Sequence, residues 1–307
     1  MKILIIAPHN IVDNWVSVFN KLISKDSIVI WPNVLDYDEI DCVALWNQPH
    51  GLLNKFKNLK LIHSMGAGVD HILSDASLPK NIPICRISDE KLSFSMSNYI
   101  IMAVLFYHKR LIKYQSDKKN KIWDHDSIPE INLNIGILGF GSLGSDAGIK
   151  LKNLGFNVYG YSLNKKEQSD IILYHGDNLN KFLSKINVLV CTVPYTSKTK
   201  NLLNIKLFDK LNDETYLINV SRGKVQNEKD ILKAIEDGKL SGAFLDVFET
   251  EPLPKNNKIW SNDKIEITPH IASITNEEAA VPQILDNYDR MNKNIQLRNV
   301  INLENEY

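Results

Sequence analysis

The stretch Asn134-Ile135-Gly136-Ile137-Leu138-Gly139-Phe140-Gly141-Ser142-Leu143-Gly144 decides the fold. An apolar, strand-like run ends at Gly139, and a helix-compatible segment opens at Ser142. Between them Gly139, Gly141 and Gly144 stand at the spacing of a dinucleotide loop. The first glycine permits a tight turn, the second lets the backbone approach a pyrophosphate, and the third lets helix and strand pack closely. The helix N-terminus beyond offers free N–H groups and a partial positive charge to phosphates. Glycine spacing alone is a weak signal, since structural glycines produce it too; the strand–loop–helix context carries the reading.

Outward from this loop, the sequence alternates strands and helices. On the C-terminal side come "IGILG" (135–139), "NVYGYS" (157–162), "VLVCTVP" (188–194), "TYLINVS" (215–221), "GAFLDVF" (242–248) and "IEITPH" (265–270). On the N-terminal side stand "ILIIA" (3–7), "SIVIW" (27–31), "CVALW" (42–46), "KLIHSMG" (60–66) and "IPICRI" (82–87), with helix-like segments between them such as 15–24. Apolar strands in βα alternation imply parallel sheets covered on both faces. The fold class is therefore α/β with two doubly wound parallel-sheet domains. A long helical stretch is expected over 95–120, its "SDKKNK" end a solvated face, and the segment after Thr275 is helical again. No Gly/Ser linker separates the halves, so helices near 95–120 and 276–296 are expected to join them.

At 307 residues the chain is long for one compact domain, and its 44% hydrophobic and 23% charged residues suit a soluble enzyme. Lys+Arg and Asp+Glu both total 36, so no global basic field recruits nucleic acid or anionic lipid. Cys42, Cys85 and Cys191 are scattered in apolar sequence, which argues against a disulfide framework or a thiolate metal site and fits a reducing cytoplasm. The apolar run 99–107 is about half of the roughly 20 residues a membrane span needs. "MKILIIAP" reads as a buried first strand rather than a signal peptide.

Three further pieces stand at strand ends, where ligands collect in open α/β sheets. They are Arg222 in "INVSRGK", Asp246 and Glu251 in "LDVFETEPLP", and His270 in "ITPHIAS". Taken alone, each is read more simply as something bland: Arg222 as half of a surface ion pair, Glu251 as a solvated loop charge, His270 as a satisfied histidine. Together they suit one reaction. An arginine fork binds a carboxylate and places positive charge beside a neighbouring carbonyl. A histidine gives that carbonyl oxygen a proton as hydride arrives, and a glutamate bonded to the imidazole orients it and favours its charged form. A nicotinamide supplies the hydride.

In order and spacing, "GILGFGSLG", "INVSRGKVQNEKDILKAIEDGKLSGAFLDVFETEPLP" and "ITPHIAS" resemble the D-isomer-specific 2-hydroxyacid dehydrogenase family. "MGAGVDHIL" (65–73) looks like its substrate-carboxylate loop, so the likeness covers nearly the whole chain. Within the family, "ALWNQP" and "SNYIIMAVLFYHKRLIKYQSDKKNKIW" are most similar to the short glyoxylate/hydroxypyruvate reductases of bacterial type. The resemblance implies Arg222 as substrate anchor, His270 as acid/base and Glu251 as its partner. It implies substrate contacts from the backbone of Ala67 and Gly68, with Trp46 near the substrate side chain or simply in the core. Cofactor contacts are implied for Ser142 and Leu143, for Val193, Pro194 and Thr199, and for Val220 and Ser221, with Asp246 on the nicotinamide carboxamide. A Rossmann cofactor domain (98–275) would be inserted into a flavodoxin-like substrate domain (1–97 plus 276–307). A homodimer would form through the helix and arm near 97–130, where Trp123 either reaches the partner's site or packs in the interface. Asn302 and Glu306 stand where the family usually has Asp and Gly, and Asn98 where it often has Glu.

The expected activity is NADPH-dependent reduction of small 2-oxo acids. The alternatives are an NAD-linked phosphoglycerate or D-lactate dehydrogenase and, from another class, a cofactor-sensing corepressor-like protein. Cofactor choice turns on "YGYSLNKK" (159–166). A dinucleotide fold usually places an acid there for the ribose of NAD, but here the position holds Ser162. An Asp would repel the 2′-phosphate of NADP by about 4 kcal/mol at 4 Å and an effective dielectric of 20, before screening. Ser162 removes that repulsion, and Asn164, Lys165 and Lys166 offer donors and positive charge. NADP is thus the expected cofactor and NAD a possible one; the alternative is that both lysines point into solvent.

Overall fold

In this computed structural model the described residues are 2–125, 130–166 and 170–307. The chain divides into two compact units, one built from residues up to Leu92 together with Thr275–Tyr307, the other from Ser93–Ile274. Residues 126–129 of the expected dimer arm lie outside the described residues.

The first unit opens with β1 (Ile3–Ile6), α1 (His9–Leu22), β2 (Ile28–Ile30), β3 (Cys42–Leu45), β4 (Leu61–Ser64), α2 (Asp70–Leu73) and β5 (Ile84–Cys85). All its named strands pair in parallel, in the order β2-β1-β3-β4-β5. Every residue of β1, β3 and β4 is buried, as a sheet covered on both faces requires. The chain leaves through α3 (Glu90–His108), which runs on into the second unit.

The second unit continues with α4 (Leu111–Asn120), β6 (Asn134–Leu138), α5 (Ser142–Asn153), β7 (Asn157–Ser162), β8 (Ile172–His175) and α6 (Leu179–Leu183). It then adds β9 (Val188–Cys191), α7 (Ile205–Phe208), β10 (Thr215–Asn219), α8 (Glu228–Glu236), β11 (Leu240–Leu245) and β12 (Ile265–Ile267). Seven parallel strands run in the order β12-β11-β10-β9-β6-β7-β8. The order reverses between β6 and β9, the switch point at which such sheets bind dinucleotides. The chain then returns to the first unit as α9 (Glu277–Asn292), whose Ala280, Val281, Ile284 and Tyr288 share a core with Trp15, Val18 and Phe19 of α1. Its C-terminal tail pairs antiparallel with β5 at Cys85 and Val300.

Two features differ from the sequence reading. The helix expected over 95–120 is two helices, broken where Arg110 takes a left-handed φ of 56° with no Gly or Pro to announce it. The edge strand β8 was not expected; none of its residues is buried, so its apolar signal is diluted.

Candidate active site

The glycine loop joins β6 to α5. Gly139 has φ 104°, and a Cβ there would lie 2.7 Å from Val193 N; one at Gly144 would lie 2.4 Å from Gly139 O. Both glycines are therefore required by close backbone approach. Gly141 is different, because a Cβ built there meets nothing within 4 Å. It is the N-cap of α5, so it opens onto first-turn N–H groups that have no partner within the helix. Open space in front of such donors fits a pyrophosphate.

The loop is tied to the end of β7, since Gly139 and Phe140 N–H both donate to Tyr161 O. Beyond it Ser162 Oγ donates to Asn164 O at 2.7 Å, and Lys166 Nζ donates to Phe140 O at 2.8 Å. Lys166 thus sits on the glycine loop itself. Of the other expected cofactor residues, Thr199 Oγ1 donates to Pro194 O at 2.7 Å and shapes the 194–199 turn. Val220 and Ser221 are buried, with the Ser221 hydroxyl committed to Asn219 Oδ1 at 2.9 Å.

Arg222 follows β10, with Nη1 donating to Ser221 O at 2.8 Å. Its loop is fixed by a buried amide ladder that sequence reasoning missed. Asn219 Nδ2 donates to Gln226 Oε1 at 2.8 Å, and Gln226 Nε2 donates to Val247 O at 2.9 Å. The available signal was polar Asn219 closing an otherwise apolar strand. Next to it Gly223 is pressed against the 248–249 backbone so tightly that a Cβ would lie 1.8 Å from Phe248 C and O. The Arg222 loop and the loop bearing Glu251 are thereby held in contact.

Glu251 Oε2 accepts from His270 Nδ1 at 2.8 Å, and Glu251 Oε1 accepts from Phe248 N at 3.0 Å. An ionised carboxylate only accepts, so Nδ1 carries the proton and Nε2 is left as the working atom. Burial pushes the Glu251 carboxyl up, but the His270 and Phe248 hydrogen bonds and the charges of His270 and Arg222 outweigh it, leaving it below the ordinary glutamate value. The His270 and Glu251 side chains are 35% and 36% exposed, open enough to meet a ligand. His270 itself has φ 56°, an uncommon conformation for a residue with a Cβ. Asp246 is 1% exposed and surrounds it: Oδ1 accepts from Thr268 Oγ1 at 2.6 Å and Ile271 N at 2.8 Å, and Oδ2 from Ala272 N at 2.8 Å. This leaves one of the carboxylate's roughly four acceptor positions for a carboxamide.

In the first unit, the Trp46 ring covers Gly66, where a Cβ would lie 2.5 Å from Trp46 Cζ3, and its centroid lies 4.7 Å from that of His71, with the rings tilted by 40°. Trp46 is thus part of the loop architecture after β3. Ser64 Oγ donates to Gly68 O at 2.8 Å, and Gly66 N donates back to Ser64 Oγ at 3.2 Å. That turn leaves Ala67 and Gly68 partly exposed. Among the described residues, no group of three or more His, Cys, Asp or Glu is placed to hold a metal ion.

Residues 101–272 match the family described as D-isomer specific 2-hydroxyacid dehydrogenase, NAD binding domain. A glyoxylate/hydroxypyruvate reductase A from Yersinia enterocolitica is 33% identical over 303 residues, 95% of each chain. A D-isomer specific 2-hydroxyacid dehydrogenase from Xanthobacter autotrophicus Py2, solved with NADPH and MES, superposes with a TM-score of 0.94 at 29% identity, covering 100% of this chain and 99% of that one. An NADPH-dependent glyoxylate/hydroxypyruvate reductase from Sinorhizobium meliloti, solved with NADP and sulfate, gives 0.93 at 30% identity and covers both chains fully.

Proposed function

The chain belongs to the D-isomer-specific 2-hydroxyacid dehydrogenase family, and from that premise we propose that it is an NADPH-dependent reductase of small 2-oxo acids, glyoxylate and hydroxypyruvate first. The observation that carries the reading is the Glu251–His270 pair with Nε2 left as the working atom, on a loop at the same strand-end edge as Arg222. We read the second unit as the cofactor domain and the first as the substrate domain.

The residues present fit NADPH. Gly141 opens onto the α5 N-terminus, and β7 ends in Ser162, an uncharged side chain in place of an acid that would repel a 2′-phosphate. Ser142 and Leu143 would hold the pyrophosphate by backbone N–H groups. Ser162, Asn164, Lys165 and Lys166 would face the 2′-phosphate, and Asp246 the carboxamide. When bound, the cofactor supplies hydride to the substrate's carbonyl carbon. His270 Nε2 gives a proton to the carbonyl oxygen, and Glu251 holds Nδ1 and offsets the positive charge on the ring. In the second unit Arg222 would hold the substrate and polarise the carbonyl; in the first unit the Ala67 and Gly68 N–H groups are the candidates for binding a carboxylate. Glyoxylate thereby becomes glycolate and hydroxypyruvate becomes D-glycerate; in the reverse direction Nε2 takes the proton.

The enzyme is proposed to work in the cytoplasm as a homodimer. No helix among the described residues is long and apolar enough to cross a membrane, and Cys42, Cys85 and Cys191 are free and buried. The test is a matrix of initial rates for glyoxylate, hydroxypyruvate and pyruvate, each with NADPH and NADH. Reduction of glyoxylate and hydroxypyruvate with a higher kcat/KM for NADPH is expected. Equal or better turnover with NADH overturns the cofactor assignment, and no reduction of any 2-oxo acid overturns the activity.

A further inference from the structure

We propose that Tyr99, on α3, is a positioning residue for the reaction, holding the His270 loop in place through a hydrogen-bond chain that runs from its hydroxyl to Thr268 Oγ1 and on to the Asp246 carboxylate. This rests on the reading of His270 as the acid/base group.

The direction of the chain follows from donor counting. A carboxylate is acceptor-only, and Thr268 gives its single hydroxyl proton to Asp246 Oδ1 at 2.6 Å. Thr268 Oγ1 can then only accept from Tyr99, so the Tyr99 hydroxyl must donate. Burial raises the Tyr99 pKa, which keeps that proton in place. The ring is 9% exposed and set edge-on to Phe244 at 5.8 Å and 85°, so the hydroxyl has a fixed origin.

What the chain holds is the segment around a strained residue. Asp246 binds the side chain of Thr268 two residues before His270 and the N–H groups of Ile271 and Ala272 just after it. Its own carbonyl accepts from His270 N at 2.8 Å. A non-glycine residue at φ 56° persists only where its surroundings over-determine it, and these four bonds do so. The same face of α3 makes a second contact one turn earlier, where Ser95 Oγ donates to Ala272 O at 3.4 Å. Helix α3 therefore grips the 268–272 loop at both ends.

The experiment compares Tyr99→Phe, Thr268→Val, Thr268→Ser and the Tyr99→Phe/Thr268→Val double variant. Tyr99→Phe keeps the ring against Phe244, so the fold is expected to survive. Its kcat for glyoxylate should fall by about tenfold, the size of one ordinary hydrogen bond, with KM changed far less. Thr268→Val should fall further, Thr268→Ser should restore most of the loss, and the double variant should be no worse than Thr268→Val alone. Hydrogen exchange of the full chain supplies a readout independent of activity: the 268–274 segment should exchange about tenfold faster in Tyr99→Phe and at the wild-type rate in Thr268→Ser. Tyr99→Phe matching wild type in both kcat and exchange, or a fully additive double variant, overturns the proposal. If wild type reduces no 2-oxo acid the activity assignment fails, while the exchange rates still decide the role of Tyr99. If Thr268→Val does not fold, Tyr99→Phe and Thr268→Ser decide it.

Discussion

At the scale of single residues, the proposed chemistry depends on how two side chains share one proton-bearing contact. Glu251 is about a third exposed yet held below its ordinary value by its bonds and by the nearby positive charges. A depressed carboxylate contributes stability that is present above its unfolded pKa and lost as pH falls through its folded one. The His270 contact should therefore persist further into acid than an ordinary glutamate would allow. The acid arm of the reduction rate that reflects Glu251 should lie below the ordinary glutamate range. In Glu251→Gln, which keeps an acceptor oxygen but has nothing to titrate, that arm should vanish and kcat should fall by roughly tenfold to a hundredfold. His270→Asn, lacking the proton-transfer atom, should lose on the order of 10² to 10⁴ in turnover. pH–rate profiles of the three proteins check this, and near-normal turnover in His270→Asn would refute the assigned role. Arg222, Glu251 and His270 were legible because charged residues at strand ends break an apolar pattern. Asn219, Gln226, Thr268 and Tyr99 were not, because a hydroxyl or amide inside an apolar run looks the same whether it is satisfied or idle until its partner, tens of residues away, is placed.

Elements show where local signals stop. The strands β1, β3 and β4 were legible because burial on both faces makes them continuous apolar runs, whereas β8 sits at a sheet edge and reads as mixed. The C-terminal turn is a milder case. Asn302 Oδ1 accepts from Glu304 N at 2.8 Å and Asn305 N at 3.1 Å, a role an Asp side chain could equally fill, while Glu306 adopts φ 61°, a conformation that suits glycine. The tail is anchored instead through α9. Asn287 Nδ2 donates to Arg298 O at 3.0 Å, and its Oδ1 accepts from Arg298 N at 2.8 Å. Asn287 also meets His63 Nε2 at 3.3 Å, while His63 Nδ1 donates to Ser64 O at 2.8 Å. This fixes a neutral, fully buried imidazole on β4, and burial lowers its pKa from 6.5 to about 4. Between those values the unfolded chain binds a proton that the folded chain refuses, so stability rises with pH across that window. The first unit should lose on the order of 3 kcal/mol as pH falls from 6.5 to 4. Amide exchange in β4 measured across that range checks this, and His63→Gln should flatten the dependence. An unchanged slope in that variant would show that other groups set it.

For the whole molecule, the two-sheet division was legible because each sheet repeats the same apolar strand pattern. A homodimer was an expectation from likeness alone, since a face that meets another copy reads in sequence like any exposed helix. The structure adds exposure. Phe94, Met102 and Leu105 of α3 are 60%, 43% and 37% exposed at helical spacing, and Leu111 and Tyr114 of α4 are 41% and 39% exposed. Ile122 and Trp123 just beyond are 53% and 91% exposed. Single exposed apolar residues are ordinary, but this many in about thirty consecutive positions form a surface that a monomer would leave wet. A zero formal net charge gives no long-range repulsion to keep copies apart. The proposed homodimer should therefore bury this face. Sedimentation velocity should show a dimer at micromolar concentration, and Met102→Lys with Leu105→Lys should shift it to monomer by placing unpaired charges in the contact. That variant should keep its secondary structure, because neither side chain belongs to the buried core of its unit. A wild-type monomer, or a variant dimer of unchanged affinity, would place the contact elsewhere.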